Sequence, residues 1–200
     1  TGGSPYSRPA EELMQTPGFR TPTSEDLAKA KALLKEAGYD NPEDLSFALL
    51  QRGTQPSDTI ALIQDMIRTN LGADVTVELS DEGGYYDKVQ NLNFDLTSTY
   101  TAAEILDPAP WFARFLSTDG SYNLGGWQND ETDALIKKIA EEQDVEARIK
   151  LVREMQETLD ELVPVMMYNY HGGYDVYRTI FGGPGVTERY YGGYNSMHRR

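Results

Sequence analysis

The stretch NFDLTSTYTAAEILDPAPWFARFL, residues Asn93–Leu116, decides the fold. Apolar and polar side chains alternate over Phe94–Tyr100, which is the period of a β-strand. A short connection, Thr101–Asp107, follows and carries two carboxylates, those of Glu104 and Asp107. The aromatic segment that starts at the next proline predicts a short helix with proline in its first turn. An acidic loop between a strand and a helix is where an open α/β sheet places its ligand. The stretch therefore predicts that a ligand binds at this loop, at the edge of the sheet.

Helical and strand patterns alternate on the amino-terminal side of this stretch. Helices are predicted at Ser24–Ala37, from the Ser57 cap to about Leu71, and at Glu82–Asn91, with strands at Leu45–Gln51 and Ala73–Leu79. Such alternation predicts an α/β fold, with a mostly parallel or mixed sheet flanked by helices. Right-handed crossovers place the carboxyl ends of parallel strands at one edge. We therefore expect the connections after the three strands to lie close together.

The carboxyl-terminal part is predicted to be mainly helical at first. A polar loop with several glycines, Ser117–Asn129, precedes two long helices, Asp130–Gln143 and Val145–Leu162, with Asp144 as the cap between them. Pro164 is predicted to end the second helix. A fourth strand is predicted at Val165–Tyr170, with an extended continuation at Tyr174–Phe181.

Composition excludes several classes of function. The 200 residues contain 32 acidic and 18 basic side chains, for a net charge of −14, so the chain repels phosphate backbones and predicts no nucleic-acid partner. Without cysteine, zinc–thiolate sites and thiol catalysis are impossible. The two histidines have no metal-ligand spacing, and no glycine loop joins a strand to a helix to hold phosphate. The sequence thus predicts no catalytic set, no metal and no cofactor.

Three local patterns resemble the family 5 extracellular solute-binding proteins, the peptide and nickel receptors of ABC importers. The first is DLAKAKALLKEAGY at Asp26–Tyr39, followed by a strand. The second is Phe94–Leu96 with the acidic loop and Asp-Pro that follow it. The third is NLGGWQNDETD at Asn123–Asp133, then a helix, Arg148 and a strand that opens with Val-Pro-Val. The chain resembles the carboxyl-terminal lobe of this family.

The resemblance implies a receptor with two lobes that close on a ligand, in the manner of a type II periplasmic binding protein. This chain would supply one lobe, with residues 1–23 as a lead-in, 24–181 as the ligand-binding lobe and 182–200 as a return segment. The implied partners are an amino-terminal lobe of the same protein, ABC permease subunits, and a peptide, oligosaccharide or similar small polar ligand. The implied protein is not an enzyme, and its location is periplasmic or extracellular.

Site residues follow from the same patterns. In peptide-binding members, the position of Glu104 carries an acidic residue that pairs with the α-amino group of the ligand. Tyr100 and Thr101 accompany it in the loop, and Trp127 could stack on a ligand ring. Asn123 is expected to shape the cleft rim, either by backbone bonding or by meeting the ligand. The further expected contact is from Arg52, at the end of the first strand, to a ligand carboxylate.

Two other functions fit the sequence. Glu104 and Asp107 could act as the acid/base pair of a secreted carbohydrate-active or other hydrolytic enzyme, although an origin three residues apart on one loop is unusual for such a pair. Asp107 is otherwise expected to cap the helix that follows it. The second alternative is a standalone domain for protein interaction.

Overall fold

A computed structural model describes residues 4–99 and 107–166. The helices are α1 Ala10–Leu13, α2 Ser24–Glu36, α3 Asp58–Leu71, α4 Glu82–Gln90, α5 Ala109–Phe115, α6 Asp130–Glu141 and α7 Val145–Leu162, and the strands are β1 Ser46–Arg52, β2 Asp74–Ser80 and β3 Leu96–Thr97. The described residues form two compact units. The first unit contains residues 7–99 and 124–126, and the second contains residues 4–6, 107–123 and 127–166.

The first unit is built on a three-stranded sheet with the order β2-β1-β3. Both strand pairs are parallel, which confirms the predicted parallel arrangement. Of the described residues 94–99 in the predicted strand, only Leu96 and Thr97 pair with β1. The last residue of that prediction, Tyr100, lies outside the described residues. At the start of the predicted strand, the carboxylate of Asp95 accepts the backbone N–H of Ala48 at 2.9 Å, so a side chain bonds to β1 at this position.

Neighbouring residues of β1 serve two hydrophobic clusters. Leu49 packs with Ile60 of α3 and with Val75 of β2. Leu50, the next residue, packs with Tyr85 and Val89 of α4. Since successive side chains of a strand point to opposite faces, α3 and α4 cover opposite faces of the sheet. This confirms the predicted helices on the faces of the sheet.

Helix ends in the first unit follow their capping residues. The Ser57 side chain accepts the backbone N–H of Ile60 at the start of α3. Gly72 ends the helix with φ 78°, in the left-handed region where a Cβ is costly. A Cβ at this glycine would also lie 2.9 Å from the Cβ of Pro42. Both ends are where the sequence predicts them.

The apolar side of α2 is only partly covered. Leu27 and Leu34 are half-buried, but Leu33 is 54% exposed. The side of α2 that packs against the rest of the unit is therefore narrow.

The second unit is a helical assembly. Its core contains Phe112 and Leu116, packed with Ile139 of α6 and with Val152 and Met155 of α7; the last three have at most traces of exposed surface. Asp144 caps α7 by accepting the N–H of Ala147 at 2.8 Å, as predicted.

The end of α7 differs in detail from the prediction. The helix is terminated by Val163 in a left-handed conformation with φ 45°, one residue before the proline that the sequence indicates. Val165 and Met166 lie in no strand. The rest of the predicted fourth strand, and its continuation at Tyr174–Phe181, fall outside the described residues. Among residues 4–99 and 107–166, no helix is both long and apolar enough to cross a membrane.

One ion pair fixes the start of α2 and predicts a pH effect. Two guanidinium nitrogens of Arg20 each lie 2.6 Å from an oxygen of Asp26, and the Thr23 backbone N–H donates to the same carboxylate. The Arg20 guanidinium, followed by the bonds from Thr23, holds the pKa of Asp26 well below its usual range. A depressed folded-state pKa gives stability that is complete above the unfolded-state pKa, about 3.9 for Asp, and is lost as pH falls toward the folded-state value.

We therefore expect D26N to have a lower free energy of unfolding than the parent at pH 7. This difference in free energy should shrink as the pH drops below about 4. Urea unfolding at several pH values measures this difference. The control is D65N, since Asp65 is exposed on α3 and should show no such convergence. A D26N difference that is the same at pH 7 and pH 3 would rule out the assigned role of the ion pair.

Candidate functional site

The carboxyl edge of the sheet brings together two of the three predicted connections. The backbone N–H of Gly53, just after β1, donates to the carbonyl oxygen of Ser80 at the end of β2 at 2.8 Å. Nearby, Nη1 of Arg52 lies 3.1 Å from Oε1 of Glu82 and 3.3 Å from the hydroxyl of Tyr86. The third connection, residues 100–106, lies outside the described residues.

Arg52 is thus exposed but already paired. Its side chain is 52% exposed and that of Glu82 is 74% exposed. Its guanidinium carbon also lies 5.9 Å from the centre of the Tyr86 ring. A ligand carboxylate at this position would compete with Glu82, a partner that the sequence pattern did not indicate. The role of Arg52 in ligand binding stays a prediction.

The end of β3 is held by a buried tyrosine. The Tyr85 hydroxyl donates to the carbonyl oxygen of Ser98 at 3.2 Å and lies 3.1 Å from Oγ1 of Thr97. The Thr97 hydroxyl also donates to the carbonyl oxygen of Leu50 in β1 at 3.0 Å. These bonds fix the last described residues before the acidic segment.

Asp107, the last residue of the acidic connection, is held by contacts to two helices. Oδ1 of Asp107 accepts the backbone N–H of Ala109, the first residue of α5, at 2.9 Å, in agreement with the expected capping role. Nη2 of Arg148, in the first turn of α7, lies 2.9 Å from Oδ1 and 2.8 Å from Oδ2 of the same carboxylate. The sequence contains both partners, but they lie 41 positions apart, so no local pattern could indicate that they pair.

Asn123 closes the loop between α5 and α6. Its Nδ2 donates to the carbonyl oxygens of Ser117 at 3.1 Å and Trp127 at 2.7 Å. Its Oδ1 accepts the backbone N–H of Trp127 at 2.9 Å. Of the two roles expected for Asn123, the structure contains backbone bonding, and a ligand contact stays a prediction.

Trp127 is half-buried and its polar edge is satisfied. The indole N–H donates to Oγ1 of Thr132 at 3.2 Å. Thr132 is fully buried and its hydroxyl donates in turn to the carbonyl oxygen of Asn129. The indole is therefore oriented by α6, and the stacking role of Trp127 stays a prediction.

The remaining candidates, Tyr100, Thr101 and Glu104, lie outside the described residues. Within residues 4–99 and 107–166, the carboxylates form no group of three or more placed to hold a metal ion. Both histidines, His171 and His198, lie outside the described residues. Two ion pairs therefore lie at the described ends of the predicted connections. Arg52 pairs with Glu82 at the carboxyl edge of the sheet, and Asp107 pairs with Arg148 in the helical unit.

Residues 3–123 match the family model of the bacterial extracellular solute-binding proteins, family 5 Middle. The chain belongs to this family. It is 29% identical over 166 residues to the probable deoxycholate-binding periplasmic protein YgiS of Escherichia coli K12, covering 82% of this chain and 31% of YgiS. It is 27% identical over 175 residues to the periplasmic murein peptide-binding protein MppA of the same strain, covering 86% of this chain and 31% of MppA. The chain thus spans about a third of the length of these relatives.

Solved structures of family 5 relatives agree with the fold. The E. coli murein tripeptide-binding protein MppA superposes with a TM-score of 0.63 at 25% identity, over 76% of this chain and 31% of that one. OppA of Haemophilus influenzae in complex with RPPGFSPFR gives a TM-score of 0.64 at 23% identity, over 76% of this chain and 30% of that one. The predicted fold class, α/β of the type II periplasmic binding proteins, is confirmed.

Proposed function

We propose that this family 5 chain captures a peptide for an ABC importer, as the ligand-binding lobe of a periplasmic solute-binding protein. The observation that carries the proposal is the family match over residues 3–123, a span that includes the acidic segment after β3. Relatives named as murein peptide-binding, oligopeptide-binding and di/tripeptide-binding proteins support a peptide ligand. Relatives named as periplasmic support that location.

In this proposal Glu104 pairs with the free α-amino group of the peptide. A carboxylate that is shielded from water forms a stronger charge-assisted bond to an ammonium than one in open solvent. Tyr100 and Thr101 provide neighbouring contacts, while Asn123 and Trp127 shape the rim. Arg52 meets a ligand carboxylate, at the expense of its bond to Glu82.

Binding in the proposed receptor needs a second lobe. Residues 24–181 would form one lobe, with 1–23 as its lead-in and 182–200 returning toward an amino-terminal lobe. Closure of two lobes on a ligand is a hinge motion, and contacts to both lobes select the closed state. The closed receptor would then deliver its ligand to ABC permease subunits. The 31% coverage of the curated relatives supports this partial-receptor arrangement.

Two alternatives to peptide capture remain, a different ligand class and a hydrolytic enzyme. The name of YgiS favours a second ligand class, an amphipathic carboxylate such as deoxycholate. The hydrolase alternative, with Glu104 and Asp107 as acid and base, is disfavoured. Arg148 contacts both oxygens of Asp107, and one of them also accepts the N–H of Ala109. This carboxylate is therefore occupied by structural contacts and is poorly placed to act as an acid or base.

NMR titration of the full chain with trialanine tests the proposal. Because one lobe provides only part of the contacts, we expect weak binding, on the order of 1 mM. E104Q should weaken it about tenfold, the size of one charge-assisted bond. Acetylation of the peptide's amino group should have the same effect. The control is E36Q, since Glu36 is exposed at the end of α2.

Three outcomes would contradict parts of the proposal. Micromolar binding to this chain alone would overturn the need for a second lobe. Equal binding of trialanine and its acetylated form would overturn the role of Glu104. Binding of deoxycholate without binding of any peptide would replace the proposed ligand class.

A further inference from the structure

We propose that Glu82 is a specificity-determining residue, because it competes with the carboxylate of a ligand for Arg52. The inference rests on the proposed function, in which Arg52 meets a ligand carboxylate, and it adds a second residue to that contact. A ligand with a free carboxylate has to displace Glu82, whereas a ligand with a neutral terminus does not. Glu82 therefore weakens the preference of the chain for a free carboxylate.

Glu82 already occupies the place that a ligand carboxylate would take on Arg52. Strand β1 ends at Arg52, and Glu82 is the first residue of α4. Nη1 of Arg52 lies 3.1 Å from Oε1 of Glu82 and 3.3 Å from the hydroxyl of Tyr86, one turn further along the helix. Ligands of open α/β sheets bind beyond the carboxyl ends of the strands, and this contact lies at such an end.

The contact with Glu82 uses only part of the guanidinium. Only Nη1 is bonded, and within residues 4–99 and 107–166 no partner contacts Nε or Nη2 of Arg52. A guanidinium presents its donors as a fork that can hold one carboxylate by two parallel bonds. A ligand carboxylate can therefore make two bonds to Arg52 in exchange for the single bond of Glu82.

The exchange costs little because both side chains are exposed. Arg52 is 52% exposed and Glu82 is 74% exposed, and an exposed ion pair changes an equilibrium constant by at most about fivefold. Once displaced, Glu82 stays in the first turn of α4, where the helix dipole favours a carboxylate. The N-cap of α4 is Asp81, whose side chain accepts the N–H of Gly84 at 2.8 Å. The start of α4 is thus capped without the Arg52–Glu82 bond.

Tyr86 keeps Arg52 in place when Glu82 leaves. The guanidinium carbon lies 5.9 Å from the centre of the Tyr86 ring, within the range of a cation–π contact. The ring is itself held edge-on by Tyr85, with ring centres 5.4 Å apart. Arg52 therefore has a partner that does not compete with an anion, and Glu82 is the partner that does.

NMR titration of the full chain with trialanine and with trialanine amide tests this role. Both peptides have a free amino group, and only the first has a free carboxylate. E82Q should bind trialanine about threefold more tightly than the parent, within the range for an exposed ion pair, and should bind the amide as the parent does. R52Q should lose the preference for trialanine over the amide, and E82Q should add no preference in the R52Q background.

E131Q is the matched control. Glu131 is also an exposed glutamate in the first turn of a helix, α6, so E131Q makes the same change of charge away from Arg52. E131Q should leave both affinities unchanged. A gain in E82Q that is equal for the two peptides, that E131Q reproduces, or that persists without Arg52 would overturn the competition.

Sodium acetate is a second probe that does not depend on peptide binding, with sodium chloride at equal ionic strength as its reference. Acetate should shift the Nε–H signal of Arg52, and more strongly in E82Q than in the parent at the same concentration. Equal shifts with acetate and chloride, or equal shifts in the parent and E82Q, would overturn the competition. If trialanine does not bind the parent, the proposed function fails, and the acetate titration still decides whether Glu82 competes for Arg52. If trialanine binds but E82Q has no effect, only this inference fails.

Discussion

Replacing Asn123 with alanine is expected to lower the free energy of unfolding by about 2–3 kcal/mol. The substitution removes three hydrogen bonds at once, to the carbonyl oxygens of Ser117 and Trp127 and from the N–H of Trp127. All three backbone groups lie in a part-buried loop, and leaving them without partners costs more than the bonds contribute. Urea unfolding followed by tryptophan fluorescence measures the change, since Trp127 reports on this loop directly.

Asn70 supplies the control for this prediction. Its side chain donates to the carbonyl oxygen of Met66 from an exposed position on α3, so N70A removes an asparagine bond that water can replace. We expect N70A to change stability by less than about 0.5 kcal/mol. If N123A were as mild as N70A, the Asn123 side chain would not be what closes the loop before α6.

Replacing Gly120 with alanine should be at least as damaging, at about 3 kcal/mol. A Cβ at Gly120 would lie 2.6 Å from the carbonyl oxygen of Arg114 and 2.9 Å from that of Ser117. Both are backbone atoms, so no side-chain rotation can relieve the contact. The loop wraps closely over the end of α5, where the N–H of Tyr122 donates to the carbonyl oxygen of Arg114. Thermal unfolding of G120A measures the cost.

Gly125 is a matched control in the same loop. No heavy atom lies within 4 Å of a Cβ built on Gly125. G125A should therefore be close to neutral, or slightly stabilising because alanine restricts the unfolded chain. Equal melting temperatures for G120A and G125A would contradict the account of the close approach at Gly120.

Helices were the part of the fold that the sequence predicted best. Ser57 and Gly72 delimit α3, and Asp144 begins α7, because capping uses atoms within a few residues of each other. The strand predicted at Leu45–Gln51 is also present as β1, and its Leu49 and Leu50 are buried on opposite faces, as in a strand that is covered on both sides. These signals are local, and the sequence contains them completely.

Contacts between distant residues were not predictable in the same way. The strand predicted from Phe94 begins only at Leu96, and the carboxylate of Asp95 bonds to the N–H of Ala48 just before it. The pairing of Arg52 with Glu82 and of Asp107 with Arg148 joins residues 30 and 41 positions apart. These pairs form only because the helices pack in a particular arrangement. The alternation of apolar residues and the spacing of motifs do not indicate that arrangement.

In the candidate site, too, the local features were predictable from the sequence and the contacts to a ligand were not. The family was recognisable from ordered local patterns, such as the acidic loop that ends in Asp107 and the segment that starts at Asn123, and the family match confirms it. The expected cap at Asp107 and the backbone bonding of Asn123 are local features and agree with the structure. The ligand roles of Glu104, Tyr100 and Thr101 stay predictions from the family pattern.

The most direct test of the central claim is a residue-resolved map of the peptide on the chain. Backbone amide signals of the ¹⁵N-labelled protein would be recorded during titration with trialanine and with N-acetyl trialanine. The account predicts that trialanine shifts the amides of residues 100–107, and that acetylation abolishes those shifts in the parent as E104Q does. Shifts that occur only elsewhere, or that are identical for the two peptides, would contradict the claim that this acidic segment recognises a peptide amine.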